Sequence, residues 1–429
     1  MREGRRGSLL SRKRYYIMLL SLLMLFIVVG FPMTAGPVNR IAKWPGSEPE
    51  KVDQNDESEK NDTKIIDVNV SLNESEFAAL QRLSIDFTMK HPEIKAELVN
   101  LPAARTYEHL KQSALLGEAP DIMLLNNSWV TEFAASGFLK NVDSMFAGET
   151  FSDVPAGLLQ PLKWNGYLWG VPKDADPLVT VWSAMLIKEA GGSSLPRNWG
   201  EFESLVQAIG AIDSRRAALP QWAAFNPDSL EQLLIWASSF QGPDGDPVNM
   251  TSFPKKQREL VHGLDAMRSK GMLMESTDST RLLDSLLKGN LLSAVLPLSQ
   301  LYSNWPAYAG KLIVQNQNPD QPLWLNGRSF ALSAKTKWPD EAKAWVEYVT
   351  DPQKQQIAFK GFGKLPARKS VYGVNGLDPI SPTLHKRLGL LSKVRMDAAW
   401  QQQYSQNGQL WSRWLNGEVN ADELLGEWQ

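Results

Sequence analysis

The sequence predicts an α/β fold in two lobes. Three observations carry it. Apolar strand-like runs alternate with amphipathic helical patterns through residues 65–429, and 429 residues with 43% hydrophobic content suffice for two cores. The absence of cysteine leaves no disulfide framework to stand in for a core. Ile65–Val70 (IIDVNV) reads as a strand closed by the polar turn Ser71–Glu74, after which Phe77, Leu80, Leu83, Ile85 and Phe87 recur at helical spacing. KAELVNLP (95–102) is a second strand, TYEHLKQSALLGE (106–118) a helix, and Ile122–Leu125 a run apolar enough for a buried strand. Tyr167–Pro172 (YLWGVP) is a strand ending in proline, and Leu178–Ser183 (LVTVWS) is another. A helix runs from Asn198 to Ile209, where Asn198 and Glu201 have the spacing of a capping box. The stretch LPQWAAFNPD (219–228) has neither period and reads as irregular. Helices over 228–240, 257–270 and 277–288 lead to the strand Leu291–Leu296. A strand at Phe330–Ser333 precedes the amphipathic helix Asp340–Thr350, and the C-terminal third is helical. Strands alternating with helices imply a mostly parallel sheet with ligands beyond the strands' carboxyl ends, which singles out the loops Ser71–Glu74 and Asn126–Trp129.

Net charge is −2, but residues 1–40 hold seven Lys/Arg against one Glu, a balance of +6 that leaves −8 for the rest. An acidic body argues against nucleic acid as a partner. Sixteen Trp ask instead for a ligand that flat aromatic faces can grip. Without Cys there are no thiolate metal sites, no Cys nucleophile and no lipidated N-terminal Cys. Arg2, Arg5, Arg6, Arg12, Lys13 and Arg14 precede a 17-residue apolar run, Tyr15–Phe31. That run is longer than most signal-peptide cores and shorter than a comfortable membrane span. Cleavage after Ala35 would place Met33 where a small residue is preferred. Residues 1–36 are therefore a signal peptide or an N-terminal membrane anchor, and either puts the body outside the cytoplasm. Residues 37–64 read as a flexible acidic linker, because PGSEPEKVDQNDESEKNDTK (45–64) cannot bury enough apolar surface to fold.

Several stretches resemble the family 1 extracellular solute-binding proteins, the group that includes the maltose-binding proteins. GEAPDIMLLNNSWVTEFAASGFLKNVDSMF (117–146) is similar to the family's G-x-x-P-D strand, loop and helix. WNGYLWGVPKDADPLVTVWSAMLIKEAGGSSLPRNWGEF (164–202) is similar to its G-v-P strand, crossover and following helix start. KGNLLSAVL (288–296), ALSAKTKWPDEAKAWVEYVTDPQKQ (331–355), GKLPARKSVY (363–372) and LNGEVNADELLGEW (415–428) match later landmarks in order. The resemblance implies a two-lobed periplasmic-binding-protein type II fold with hinge crossings near Pro172, Trp324–Gly327 and Gly373–Gly376. Lobe 1 would be 65–172 and 328–374, lobe 2 173–327 and 375–429. It also implies a monomeric extracytoplasmic receptor, anchored or secreted, that captures a carbohydrate and delivers it to ABC permease subunits. The chain departs from the family at Trp182-Ser183, where Tyr-Asn is common, and in lacking a lipidated Cys, which favours the anchor.

A sugar ring presents hydroxyls at its rim and C–H groups on its faces, so its site combines aromatic planes with carboxylates and amides. The candidates implied by the resemblance or by position are Asn127, Ser128 and Trp129 after the lobe 1 strand, and Asp174 and Asp176 after the first crossing. In lobe 2 they are Trp222, Glu231, Trp236, Ser299, Tyr302, Trp305 and Tyr404. Trp324 and Arg328 flank the second crossing as hinge residues or contacts, and Trp182 reads equally as strand core. For each, a capping, surface or core role is the competing reading. Asp174, Asp176 and Glu231 could form the carboxylate pair of a glycoside hydrolase, but the family carries no hydrolase motif and no enzyme is expected. His91, His109, His262 and His385 lack metal-ligand spacing, and neither a nucleophile elbow nor a phosphate loop is present, so no cofactor is expected. A ligand-binding partner of a membrane sensor kinase is the alternative on the same fold.

Overall fold

Two sheets organise the body. The computed structural model describes residues 63–146, 148–212, 219–240, 255–302, 304–315, 324–372, 387–390 and 396–428. The N-terminal segment expected as a signal or anchor, and most of the linker, lie outside the described residues; Lys64 already belongs to the first strand. The third crossing, at Gly373–Gly376, also lies outside them. Among the described residues no helix is long and apolar enough to cross a membrane.

The first sheet has six strands in the order Leu365–Pro366, Val171–Ala175, Gly327–Leu332, Ile122–Asn126, Lys64–Val70, Ile94–Asn100. The second has five, Leu312–Val314, Leu178–Ser183, Leu291–Pro297, Gln221–Phe225, Leu273–Glu275. Both are mixed rather than mostly parallel. Lys64–Val70 is flanked by two parallel neighbours, whereas Gly327–Leu332 runs antiparallel to both of its own. The cause is the crossing itself, because a strand returning from the second sheet enters the first in the opposite direction. Val171–Ala175 pairs entirely within the first sheet, so the chain leaves that sheet at Asp176-Pro177, later than Pro172.

Each sheet has its own core. The first gathers Ile66, Val68, Leu124, Phe133, Phe330 and Trp345, the second Trp182, Phe202, Trp222, Phe225, Trp236, Trp411 and Trp414. A third cluster joins Val154, Leu158 and Ala175 to Leu296, Leu301, Tyr302, Phe359 and Leu365, bridging the two around the crossings. On the helix Glu74–Lys90 the buried face is Glu76, Leu80, Ser84 and Phe87, and Ile85, counted above in the apolar pattern, is 61% exposed. The stretch read as irregular contains the strand Gln221–Phe225, with burial of Trp222–Phe225 complete. Its two alanines lack the β-branching that marks strands, so the local pattern concealed it.

Among the described residues the chain crosses twice, in register. The Asp176 N–H donates to the Leu325 carbonyl and the Leu178 N–H to the Trp324 carbonyl, both at 3.2 Å. Asn326 sits in the left-handed region at φ 40°, which asparagine tolerates better than most residues.

Candidate functional site

A cavity of about 750 Å³ is lined by Asn126 and Gly327 of the first sheet, by the second crossing, and by helices that belong to the second sheet's core. The first sheet contributes the end of the strand Ile122–Asn126, whose uninterrupted burial ends at the half-buried Asn126. The helix Asn127–Ala135 starts at once, so Asn127 and Ser128 sit in its first turn, where backbone N–H groups have no helical partner. Asn127 is 5% exposed, accepts from Ser329 Oγ at 2.6 Å, and leaves Nδ2 without a partner among the described residues. Gly327 makes room for that amide, since a Cβ there would lie 2.6 Å from Asn127 Nδ2. Trp129 packs on Tyr107 at 5.3 Å, and Tyr107 is itself fixed by Glu132 at 2.8 Å.

A small hairpin supplies the next wall. Lys163–Trp164 pairs with Tyr167–Leu168 around Asn165 and Gly166, both at positive φ, the backbone that a two-residue Asn-Gly turn requires. Trp169 donates its indole N–H to the Trp164 carbonyl at 2.9 Å and meets its ring edge-on at 5.7 Å. Trp164 and Asn165 are thereby held at the cavity.

The opposite wall comes from the helices Leu230–Ser238 and Trp400–Leu415. Tyr404 Oη donates to Glu231 Oε2 at 2.5 Å, and Ser229 Oγ donates to the same oxygen at 2.9 Å. Burial and the Glu231 carboxylate push the Tyr404 hydroxyl far above its usual pKa, so it remains a neutral donor. Trp400 lies one turn before Tyr404 and contacts Trp324 of the crossing at 5.8 Å. Met396, Asp397 and Gln401 complete this side. The cavity thus combines the rings of Trp129, Trp164, Trp324 and Tyr404, with the nearly buried Trp400 packed against Trp324, and side-chain amides and carboxylates.

Of the residues singled out from sequence, Asn127, Ser128, Trp129, Glu231, Trp324 and Tyr404 converge here. The others do not line it, each for a physical reason. Trp222 and Trp236, 1% and 0% exposed, are core, with their indole N–H groups spent on Met272 sulfur and Ser293 Oγ. Trp182, also buried, donates to Gln315 Oε1 at 2.8 Å. Asp176 receives the Ser299 N–H at 3.0 Å and its hydroxyl at 2.6 Å, so both residues are spent on tying the crossing to the second sheet. Tyr302 packs edge-on against Phe359 at 5.0 Å, and Trp305 joins the same apolar cluster. Asp174 is paired with Lys173 and with Arg328, whose Nε donates to it at 2.9 Å. The Arg328 and Lys173 charges hold the Asp174 carboxyl well below its usual range in spite of burial. Sequence reasoning missed Trp164, Asn165, Asn326, Trp400 and Gln401. Among the described residues no cluster of His, Cys, Asp or Glu could hold a metal ion.

A family model described as bacterial extracellular solute-binding protein matches residues 72–356. A multiple sugar-binding protein of Streptococcus mutans is 22% identical over 313 residues, 68% of this chain and 73% of that protein. An uncharacterized lipoprotein of Streptomyces antibioticus is 24% identical over 136 residues, 31% of this chain, and the chain spans only 30% of its length. Among solved structures, the GacH receptor of Streptomyces glaucescens, described unliganded and with acarbose, matches with a TM-score of 0.66 at 20% identity, over 85% of this chain and 96% of that one. The sugar-binding protein MalE of Xanthomonas citri gives 0.67 at 19% identity, over 85% and 95%. Maltose-bound MalE3 of T. maritima gives 0.67 at 16%, over 85% and 97%. At these identities the structural likeness establishes the two-lobed fold.

Proposed function

Because the chain belongs to the bacterial extracellular solute-binding protein family, we propose that it captures a carbohydrate, an oligosaccharide in preference to a single sugar, and presents it to the permease of an ABC importer. One observation carries the reading: four Trp and a Tyr, with amides and carboxylates between them, line a single cavity built from the first sheet, a crossing and the helices packed with the second sheet. Indole faces cover the C–H faces of a pyranose, while Asn127 Nδ2, Asn165, Gln401 and Glu231 suit its hydroxyls. Cavities of this size and lining are the usual form of small-ligand sites. The site holds its ligand without reacting with it, and the N-terminal segment directs the body outside the cytoplasm, anchored at the outer face of the membrane or secreted. Isothermal titration and thermal shift against a panel of oligosaccharides test this. At least one glycan binds with measurable heat, raises the melting temperature and is recovered intact. Silence across the panel, or turnover of any member, refutes it.

A further inference from the structure

The hairpin Lys163–Leu168 extends past the cavity that it helps to close. Its inner strand and turn, Lys163, Trp164 and Asn165, line that cavity, whereas Gly166, Tyr167 and Leu168 do not. Trp164 and Tyr167 are direct cross-strand partners. Such partners project on one face with their Cβ atoms about 5 Å apart, so the Tyr167 ring stands beside that of Trp164, one strand further out. Tyr167 is 51% exposed, and its side chain has no ring contact or hydrogen bond among the described residues.

A lone exposed aromatic residue is ordinary, but this one continues a row of rings. Trp169, two residues on and therefore on the same face, meets Trp164 at 5.7 Å and donates to its carbonyl. The hairpin beneath these rings is tied down. The Leu168 N–H donates to Asp143 Oδ2 at 2.6 Å and its carbonyl accepts the Val142 N–H at 2.9 Å. The Trp169 N–H reaches the Leu162 carbonyl at 3.1 Å. Gly170 lets the chain pass close to the first sheet, since a Cβ there would lie 3.2 Å from Ser329 Cβ. Tyr167 is thus an exposed ring on a fixed backbone, and ordering it against a ligand costs little more than its two side-chain torsions. Neighbouring strands lie about 4.8 Å apart, close to the length of one pyranose unit in a chain. A glycan with one unit against Trp164 that leads out over the hairpin presents its next unit to Tyr167.

We propose that Tyr167 forms an outer subsite, stacking on the first glycosyl unit outside the cavity, and that the ligand is the end of a longer chain rather than a short oligosaccharide enclosed whole. This assignment rests on the carbohydrate reading of the cavity.

Ladders of two to seven units in the α-1,4-gluco, β-1,4-gluco, β-1,4-xylo and β-1,4-manno series are titrated calorimetrically against the full chain, Tyr167→Ala and Tyr167→Phe. In at least one series the full chain gains about three- to tenfold in affinity from one added unit, the burial of a single ring face. Tyr167→Ala loses that increment, binds the shorter members as tightly as the parent and melts at the same temperature. Tyr167→Phe keeps it, because the ring rather than the hydroxyl makes the contact. An increment that persists in Tyr167→Ala, or a parent whose affinity does not rise with length, overturns the outer subsite while the carbohydrate reading stands. A loss spread equally over all lengths in Tyr167→Ala makes the residue structural and also overturns it. No binding by any ladder overturns the carbohydrate reading together with the subsite.

Discussion

The pair Tyr404–Glu231 offers the sharpest test of whether the larger cavity is a binding site. Tyr404→Phe keeps the ring and deletes one oxygen, the one that donates to Glu231 Oε2 at 2.5 Å. A hydrogen bond to a charged group is worth about 1.5–3 kcal/mol. Ser229 Oγ remains on the same oxygen at 2.9 Å, which places the loss near the lower end. If Glu231 must be held in place to receive a sugar hydroxyl, that loss appears in affinity as about a tenfold rise in Kd. Glu231→Gln weakens binding by at least as much, and the double variant loses less than the sum of the two, because the residues act as one unit. Calorimetry on the four proteins gives the coupling, and thermal melts separate it from stability. The pH dependence has a defined sign. The hydroxyl pKa is raised in the fold, so its contribution is complete below the unfolded value near pH 10 and declines only above it. Affinity is therefore insensitive to this group from about pH 6 to 9. A Tyr404→Phe protein that binds as tightly as the parent but melts earlier would show the pair to be structural and refute the reasoning.

Trp129→Ala and Trp164→Ala each weaken glycan binding tenfold or more by calorimetry and leave the melting temperature nearly unchanged, since both rings are only partly buried. Trp236→Ala has the reverse signature: removing a fully buried indole costs about 3–5 kcal/mol of stability, read from denaturant midpoints. Gly327→Ala brings a Cβ to 2.6 Å from Asn127 Nδ2 and displaces that amide, so binding falls tenfold while circular dichroism is unaltered. Asp174→Asn strips the buried Arg328 of an ionic partner, at a cost of about 3–5 kcal/mol. Asp174 and Glu76 both have depressed pKa values, so they stabilise fully above about pH 4.5 and lose effect as pH falls. Urea midpoints of Asp174→Asn consequently decline less steeply on acidification.

The site was legible where local pattern and position coincide. Ile122–Leu125 is apolar without interruption, which marks a buried strand, and the polar residues right after it fall at its carboxyl end whatever the rest of the chain does. The aromatic residues were harder, because a tryptophan carries no sign of which side of its element faces the core. Trp236 is buried by Phe202, Phe225 and Phe240 and Trp222 closes on Met272, contacts set by how sheet and helices pack. Two signals were present and unused. The Asn165-Gly166 dipeptide announces a tight hairpin that holds Trp164 at its shoulder, and Trp400 lies four residues before Tyr404, on the same helical face. Asp176 misled for another reason. Its partner Ser299 is 123 residues away, and only the assembled crossing brings the two together.

That crossing connects binding to motion. Trp324–Gly327 forms a wall of the larger cavity and is also one of the two paired segments joining the sheets. The backbone bonds at Asp176 and Leu178 make the two segments turn together, and the Asp176–Ser299 contact anchors them to the second sheet. A ligand stacked on Trp324 and bonded to Asn326 therefore touches the pivot itself as well as both walls. On the proposed reading, in which the two halves close on the sugar, its affinity would differ between open and closed arrangements for that reason, and only such a difference can move the equilibrium between them. Driving a protein from 1% to 99% closed requires about 5.5 kcal/mol of differential binding. No single stacked ring or hydrogen bond supplies that much, whereas contacts distributed over Trp129, Trp164, Trp324, Trp400 and Glu231 together can. Small-angle scattering should accordingly record closure with a ligand long enough to span both walls, and none with a monosaccharide bound to one.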